Sequence, residues 1–302
     1  MFFLISSARD NTVTLLNMAA TLLVIAIALG SILLAIHIGF RAPRREELGT
    51  PGDYGLSYQE LGIQTLQGKR LFAWWLPAEI PGSSTMILLH GWGGNAELML
   101  PLAIPLHNAG MNVLLLDARN HGRSDSASFS SLPRFSEDVS SAINWVKTHG
   151  EKPLNKIGLL GHSVGAGAVL LEASRRDDVS AVISISAFAH PEWMMRRYLR
   201  RFWIPQFVIT WINRYVEWVI RHRFDDIAPM NTAEKVKCPI LLVHGKMDET
   251  VPISDTLAIK NNCGNYAIDT LLVDDAGHDS TDKIERHAEY LINFLRKAEF
   301  VS

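Results

Sequence analysis

At 302 residues, with 48% hydrophobic side chains and a formal net charge of −2, the chain has material for one α/β domain with a sizeable core and an extra segment. The near-neutral balance and the absence of a basic face exclude a surface that tracks phosphates, so no nucleic-acid partner is expected. The two cysteines, Cys238 and Cys263, lack metal-ligand spacing and a matching histidine cluster, which argues against a zinc site or a disulfide framework and makes both small core residues.

In chain order, residues 1–14 read as an N-terminal tail and residues 15–40 as a transmembrane helix. From Leu15 to Phe40 only Asn17, Thr21, Ser31 and His37 interrupt an apolar run, and about 20 such residues suffice to cross a bilayer. A cleaved signal peptide competes with this reading, but the run exceeds the ~7 to 15 residues of a signal core and no A-x-A site precedes Arg41. Arg41, Arg44 and Arg45 follow the span while Arg9 precedes it, so the positive-inside tendency puts the main domain in the cytoplasm. Residues 41–55, with Pro43, Gly49, Pro51 and Gly52 among charges, read as a linker.

The folded domain is expected over 56–298. Leu56–Leu66 and Leu71–Leu76 flank Gln67-Gly68-Lys69-Arg70 and suggest an antiparallel hairpin. From Thr85 short apolar runs alternate with helical stretches: Met86–Leu89, Val113–Leu116, Ile157–Leu160, Ala181–Ile185, Ile240–Val243 and Thr270–Val273. Strands buried on both faces read in this way, and the helical spacing implies a doubly wound, mainly parallel sheet. Ligands of such sheets bind beyond the carboxyl ends of the strands.

The polar residues collect in the loops at those ends. His90-Gly91-Trp92-Gly93-Gly94-Asn95 follows the first run; its glycines allow close approach, the Trp92 N–H is a candidate oxyanion donor, and Asn95 is placed to cap the next helix. Asp117-Ala118-Arg119-Asn120-His121-Gly122-Arg123-Ser124 reads as a loop stitched by its own polar groups, with no catalytic step assigned. Gly161-His162-Ser163-Val164-Gly165 sits where a strand turns into a helix, the setting of a nucleophile elbow, with Ser163 at the turn. The loop after Val243 offers Asp248 and the loop after Val273 offers His278, in the chain order Ser, Asp, His. Asp274 and Asp275 lie nearer to His278 in sequence and are the alternative acids.

Between Ala187 and Ala228 the alternation of strand and helix stops, and about 188–228 reads as a cap insertion. Arg196 to Arg223 holds seven arginines and one acid, Glu217, and the wider stretch holds Trp193, Trp203, Trp211 and Trp218. Two readings stay open: an interfacial amphipathic segment resting on anionic headgroups, or a helical cap whose aromatic face packs on the domain.

Taken together, HGWGGN, DARNHGRS, GHSVG, HGKMDETVP and AGH make residues 56–298 resemble the α/β-hydrolase superfamily, in particular the serine esterases and lipases grouped with the Bem46-like and acylglycerol-lipase-like hydrolases. The resemblance implies Ser163 as nucleophile, Asp248 as acid, His278 as base, and the Trp92 and Val164 backbone N–H groups as oxyanion hole. It implies hydrolysis of a carboxylic ester through an acyl-enzyme, with no cofactor and no metal, on a small-molecule or lipid acyl ester. Peptidase, thioesterase and cofactor-free perhydrolase chemistry use the same residues and remain alternatives. A non-catalytic membrane-associated binding protein is the alternative of another class.

Overall fold

The computed structural model describes residues 2–39, 41–150, 155–264 and 268–301, and the chain divides at Arg41 into two units. The first unit is a single helix, α1 (Phe2–Gly39). Its backbone is helical from Phe2, so the tail expected over 1–14 continues the same helix; Met1 and Phe40, the ends of the expected tail and span, lie outside the described residues. Thr14–Gly39, 26 residues, is long and apolar enough to cross a membrane. At 1.5 Å per residue it measures about 39 Å, against ~30 Å of hydrocarbon. Leu22, Val24, Ile27 and Leu34 leave more than half of their surface exposed, an arrangement that is costly in water and favourable in lipid.

The second unit, from Ala42, begins with a segment that is bound along its length. The Arg44 guanidinium donates to the carbonyls of Gly122 (2.6 Å) and Ser124 (2.8 Å), and the Leu48 and Gly49 N–H groups donate to the Glu97 carboxylate (2.8 and 3.0 Å). Residues 41–55 read from sequence as a linker; from Ala42 onward they form a strap on the domain. Before the 3-10 turn Pro51–Tyr54 the strap is irregular, and the Glu97 carboxylate satisfies backbone N–H groups that regular structure would have paired.

The sheet has eight strands: β1 (Gln59–Gln64), β2 (Arg70–Leu76), β3 (Thr85–Leu89), β4 (Asn112–Leu116), β5 (Ile157–His162), β6 (Ala181–Ile185), β7 (Ile240–Gly245) and β8 (Ile268–Val273). Their order is β1-β2-β4-β3-β5-β6-β7-β8; the β1–β2 hairpin and the β2–β4 pair are antiparallel and every other pair is parallel. The expected hairpin and all six apolar runs are strands, although the last, in the edge strand β8, is only half-buried. Their continuous apolar sequence has a direct cause. Along β3, Ile87 and Leu89 join the core under one face while Met86 and Leu88 join the core under the other, so neither side of the pleat tolerates a polar residue.

Helices α3 (Leu132–His149), α4 (Val164–Ala173) and α9 (Ile253–Asn262) pack on the first face through residues such as Phe135, Val169 and Ile259. Helices α2 (Leu100–Asn108), α10 (Thr281–Glu285) and α11 (Ala288–Lys297) cover the second through Leu102, Ile284 and Leu295. Cys263 is a buried member of the first core and Cys238 packs against it; burial pushes their thiols up to about 11 and about 12. The domain extends past its expected end at 298: Phe300 is buried and its carbonyl accepts from the Ser84 hydroxyl at 2.6 Å.

The insertion between β6 and β7 folds as α5 (Pro191–Arg200), α6 (Gln206–Ile220), and the short helices α7 (Phe224–Ile227) and α8 (Pro229–Thr232). Arg197 of α5 anchors it with a two-pronged ion pair to the buried Asp255 of α9 (3.0 and 2.7 Å), whose Oδ2 also accepts from the Ala189 N–H (2.9 Å).

Candidate active site

Ser163 links β5 to α4 with φ 53° and ψ −116°, a conformation that costs a non-glycine residue on the order of 1–3 kcal/mol. The surroundings enforce it. The Ser163 N–H donates to the carbonyl of Ile185 in β6 (2.8 Å), and α4 starts at the next residue. A Cβ on Gly165 would lie 2.6 Å from the Leu89 carbonyl oxygen, and one on Gly161 would lie 2.5 Å from the Gly165 carbonyl carbon. Only glycine lets α4 start this close to β3 and β5.

The loops after β7 and β8 are laced to each other before either reaches Ser163. Lys246 N–H donates to Val273 O (2.8 Å) and Met247 N–H to Ala276 O (3.0 Å). This lacing places Asp248 and His278 side by side: His278 Nδ1 lies 2.7 Å from Asp248 Oδ2, and His278 Nε2 lies 2.9 Å from Ser163 Oγ. A carboxylate can only accept, so Nδ1 carries the proton and Nε2 is left to accept from the serine hydroxyl. The other Asp248 oxygen accepts from the N–H groups of Thr250 (2.9 Å) and Val251 (2.8 Å). Burial works against the Asp248 charge, but the hydrogen bonds from His278 and the Val251 N–H, with the nearby His278 and His244 rings, outweigh it and hold the carboxyl below its ordinary value.

The alternative acids point elsewhere. Asp274 is paired with Lys246 at 2.5 Å, and Asp275 lies 3.8 Å from both Lys283 and Arg286.

Of the expected backbone donors, Val164 follows Ser163 directly and Trp92 belongs to the loop after β3. Val164 opens α4, so its N–H belongs to the first turn and has no intrahelical acceptor. Trp92 follows Gly91, and a Cβ on Gly91 would come 3.0 Å from the Ser163 Cβ, which puts this loop against the serine. The loop is held from behind: Ala118 N–H donates to His90 Nε2 (3.1 Å), His90 Nδ1–H donates to Gly91 O (2.7 Å), and Asp117 Oδ1 accepts from Ala96 N–H (2.7 Å). The segment 117–124, assigned no chemistry from sequence, is thus the brace of the loop that carries Trp92. Asn95 accepts from Leu98 N–H (3.3 Å) and caps the turn beyond.

Two histidines that the sequence reading passed over support the site. His162 donates from Nε2 to the main-chain oxygen of His278 (2.6 Å), and burial pushes its imidazole down to about 4, so it stays neutral. His244 donates from Nε2 to Val251 O (2.9 Å) and accepts from the Thr256 hydroxyl at Nδ1 (2.7 Å), fixing the turn whose N–H groups hold Asp248. Both occupy the ends of strands, the one signal that flags them in sequence, but their acceptors are main-chain oxygens that no local pattern reveals. His162, His278 and Asp279 bring three potential ligand atoms within 4.8 Å of one another, yet both His278 nitrogens are already engaged by Asp248 and Ser163, so the group does not suit a cation.

A family model for the α/β hydrolase fold matches residues 84–231. Protein bem46 of Schizosaccharomyces pombe is 27% identical over 270 residues, 86% of this chain and 85% of that protein. The uncharacterised protein YfhR of Escherichia coli K12 is 27% identical over 202 residues, 65% of each chain. Among solved structures, the Pyrococcus furiosus esterase Pf2001 superposes with a TM-score of 0.70 at 23% identity, covering 86% of this chain and 97% of that one. Est1E of Butyrivibrio proteoclasticus with ferulic acid bound gives 0.60 at 21% identity, over 78% and 99%. This strand order, the elbow at Ser163 and these matches give the second unit the α/β-hydrolase fold, with residues 84–231 similar to the family model of that fold.

Proposed function

We propose that the protein is a serine hydrolase that cleaves carboxylic esters, with hydrophobic acyl esters as its substrate class. The hydrogen-bonded line from Asp248 through His278 to Ser163 carries this reading. As the Ser163 oxygen bonds to the acyl carbon, its proton passes to His278 Nε2, and the Asp248 carboxylate steadies the imidazolium that results. The carbonyl oxygen becomes an oxyanion held by the Trp92 and Val164 N–H groups. Collapse expels the alcohol, which takes the proton from Nε2 and leaves an acyl-Ser163 ester. Water then gives a proton to Nε2 and adds to the acyl carbon; collapse returns the proton to Ser163 and releases the acid.

Nucleophile, base, acid and oxyanion donors in these steps all come from the chain itself. The 26-residue apolar helix supports a hydrophobic substrate by holding the domain at a bilayer, and the arginines after it support a cytoplasmic domain.

Turnover of p-nitrophenyl esters from short to long acyl chains, by wild type and Ser163→Ala, tests the reading. Wild-type hydrolysis favouring longer chains and lost in the variant is expected; folded wild type that cleaves no ester overturns it. A reporter after Ser302 is expected to be active in the cytoplasm, and activity only outside it overturns the orientation.

A further inference from the structure

The cap has an outer surface that the fold does not use. Helix α6 buries Ile209, Ile212 and Val216 on one side, which accounts for its attachment to the domain. Its opposite side ought to be polar if water were its only neighbour. Instead Phe207, Trp211, Arg214, Trp218 and Arg221 follow one another at spacings of three and four along it, with Phe207 77% and Trp218 75% exposed. The turn between α5 and α6 continues the pattern: Phe202 is exposed, and Trp203 is 93% exposed. Trp203 also sits at φ 58°, a conformation that a bulky side chain adopts only at a cost. The four tryptophans of the insertion all lie at the surface, so the aromatic face does not pack on the domain.

Charge on the α5–α6 arm is mostly positive; the exposed carboxyls of Asp225 and Asp226 lie beyond it, in α7. Arg196, Arg197 and Arg214 are paired with Glu192, Asp255 and Glu217. Among the described residues, Arg200, Arg201, Arg221 and Arg223 form no ion pair with an acid, and all four are exposed. Exposed aromatic rings interleaved with uncompensated guanidinium groups match the chemistry of one surface, a bilayer interface that bears phosphate. The rings seat at headgroup level, and the arginines meet lipid phosphates as two-pronged donors.

We propose that the α5–α6 arm docks on an anionic membrane surface, inserting Trp203, Phe207 and Trp218 among the headgroups. The tether supplied by α1 raises the local concentration of the bilayer, so a contact too weak to recruit a free protein suffices to hold a tethered one. The inference goes beyond the hydrolytic reading, for it requires neither Ser163 nor turnover.

The experiment uses the full chain in vesicles. All eight tryptophans lie at residue 74 or beyond and α1 contains none, so tryptophan fluorescence reports on the domain alone. Emission is compared in vesicles with and without bromine on the acyl chains near the glycerol, made of phosphatidylcholine alone or with added phosphatidylglycerol. Bromine is expected to quench part of the emission in the anionic vesicles. Trp203→Phe with Trp218→Phe is expected to remove most of that quenched part, and Arg200→Gln, Arg201→Gln and Arg221→Gln together to reduce it to the level in phosphatidylcholine.

Equal emission with and without bromine at both compositions overturns the proposal, as a protein-docking surface would give. Quenching that survives loss of Trp203 and Trp218 overturns the placement, and quenching indifferent to the arginines overturns the anionic partner. The Ser163→Ala chain is expected to quench like wild type, which separates this test from the fate of the hydrolytic reading.

Discussion

His162 donates its Nε2–H to the main-chain oxygen of His278 at 2.6 Å, while His278 reaches Ser163 Oγ at 2.9 Å from its ring. The residue before the serine thus holds the loop that brings the proposed base to it, and the two rings lie 5.2 Å apart, tilted by 49°. Strand β5 positions both ends of the pair through adjacent residues: His162 points to the backbone of the histidine loop, Ser163 to its side chain.

His162 is accordingly a positioning residue. His162→Phe keeps an aromatic ring but leaves the His278 carbonyl without its donor, at a cost of about 1–3 kcal/mol in stability. The account predicts that kcat falls at least about tenfold with KM nearly unchanged, and that His162→Gln, which retains an N–H donor, restores most of the loss. Steady-state kinetics and urea midpoints of both variants check this. Equal kcat in wild type and the folded Phe variant would remove the positioning role.

Asp248 and Asp275 separate the two candidate acids. Asp248→Asn loses the carboxylate that orders the His278 proton on Nδ1, and kcat should drop on the order of 10⁴-fold. Asp275→Asn, which alters a mostly exposed carboxyl near Lys283 and Arg286, should stay within about twofold of wild type, as surface changes do. A large loss in the second variant with little in the first would reverse the assignment.

Glu47 of the strap faces Asp117 of the loop after β4, and the two form a titratable pair. A Cβ on Gly122 would meet both Asp117 Oδ2 and Glu47 Oε1, so these two carboxyl oxygens crowd the same point, while the Arg123 and Ala96 N–H groups donate to Asp117. Burial first, and then the Glu47 charge, push Asp117 up to about 8. The folded chain therefore keeps a proton that the unfolded chain releases near the ordinary carboxyl value of ~4, and stability falls as pH rises between those values. Glu47→Gln removes the facing charge and should flatten this fall. Urea midpoints of wild type and variant at about pH 6 and about pH 8 measure it; identical pH dependence in the two would show that the pair is not coupled.

Much of this fold was legible because its causes are local. A strand core buried on both faces is apolar, as Met86–Leu89 and Ile240–Val243 are, and a serine turned between a strand and a helix must have glycine two residues to either side. The chain order of Ser163, Asp248 and His278 was legible for the same reason, since each follows a strand end. What stayed hidden depends on distant partners. The strap at 42–55 is bound by Glu97 and by the carbonyls of Gly122 and Ser124, none of which its own composition announces. The domain was expected to end at 298, two residues short of Phe300, which the fold buries in the core. The arginines and tryptophans of the cap were visible in sequence, but the face of α6 that they occupy was decided by Ile209, Ile212 and Val216 taking the other.

The central claim is that Ser163 is an activated nucleophile. Labelling the full chain with a fluorophosphonate probe, followed by peptide mapping, tests it most directly. One adduct is expected, on Ser163, absent from Ser163→Ala and formed far more slowly in His278→Ala. Folded wild-type protein that takes up no label, or that is labelled equally after Ser163→Ala, would contradict it.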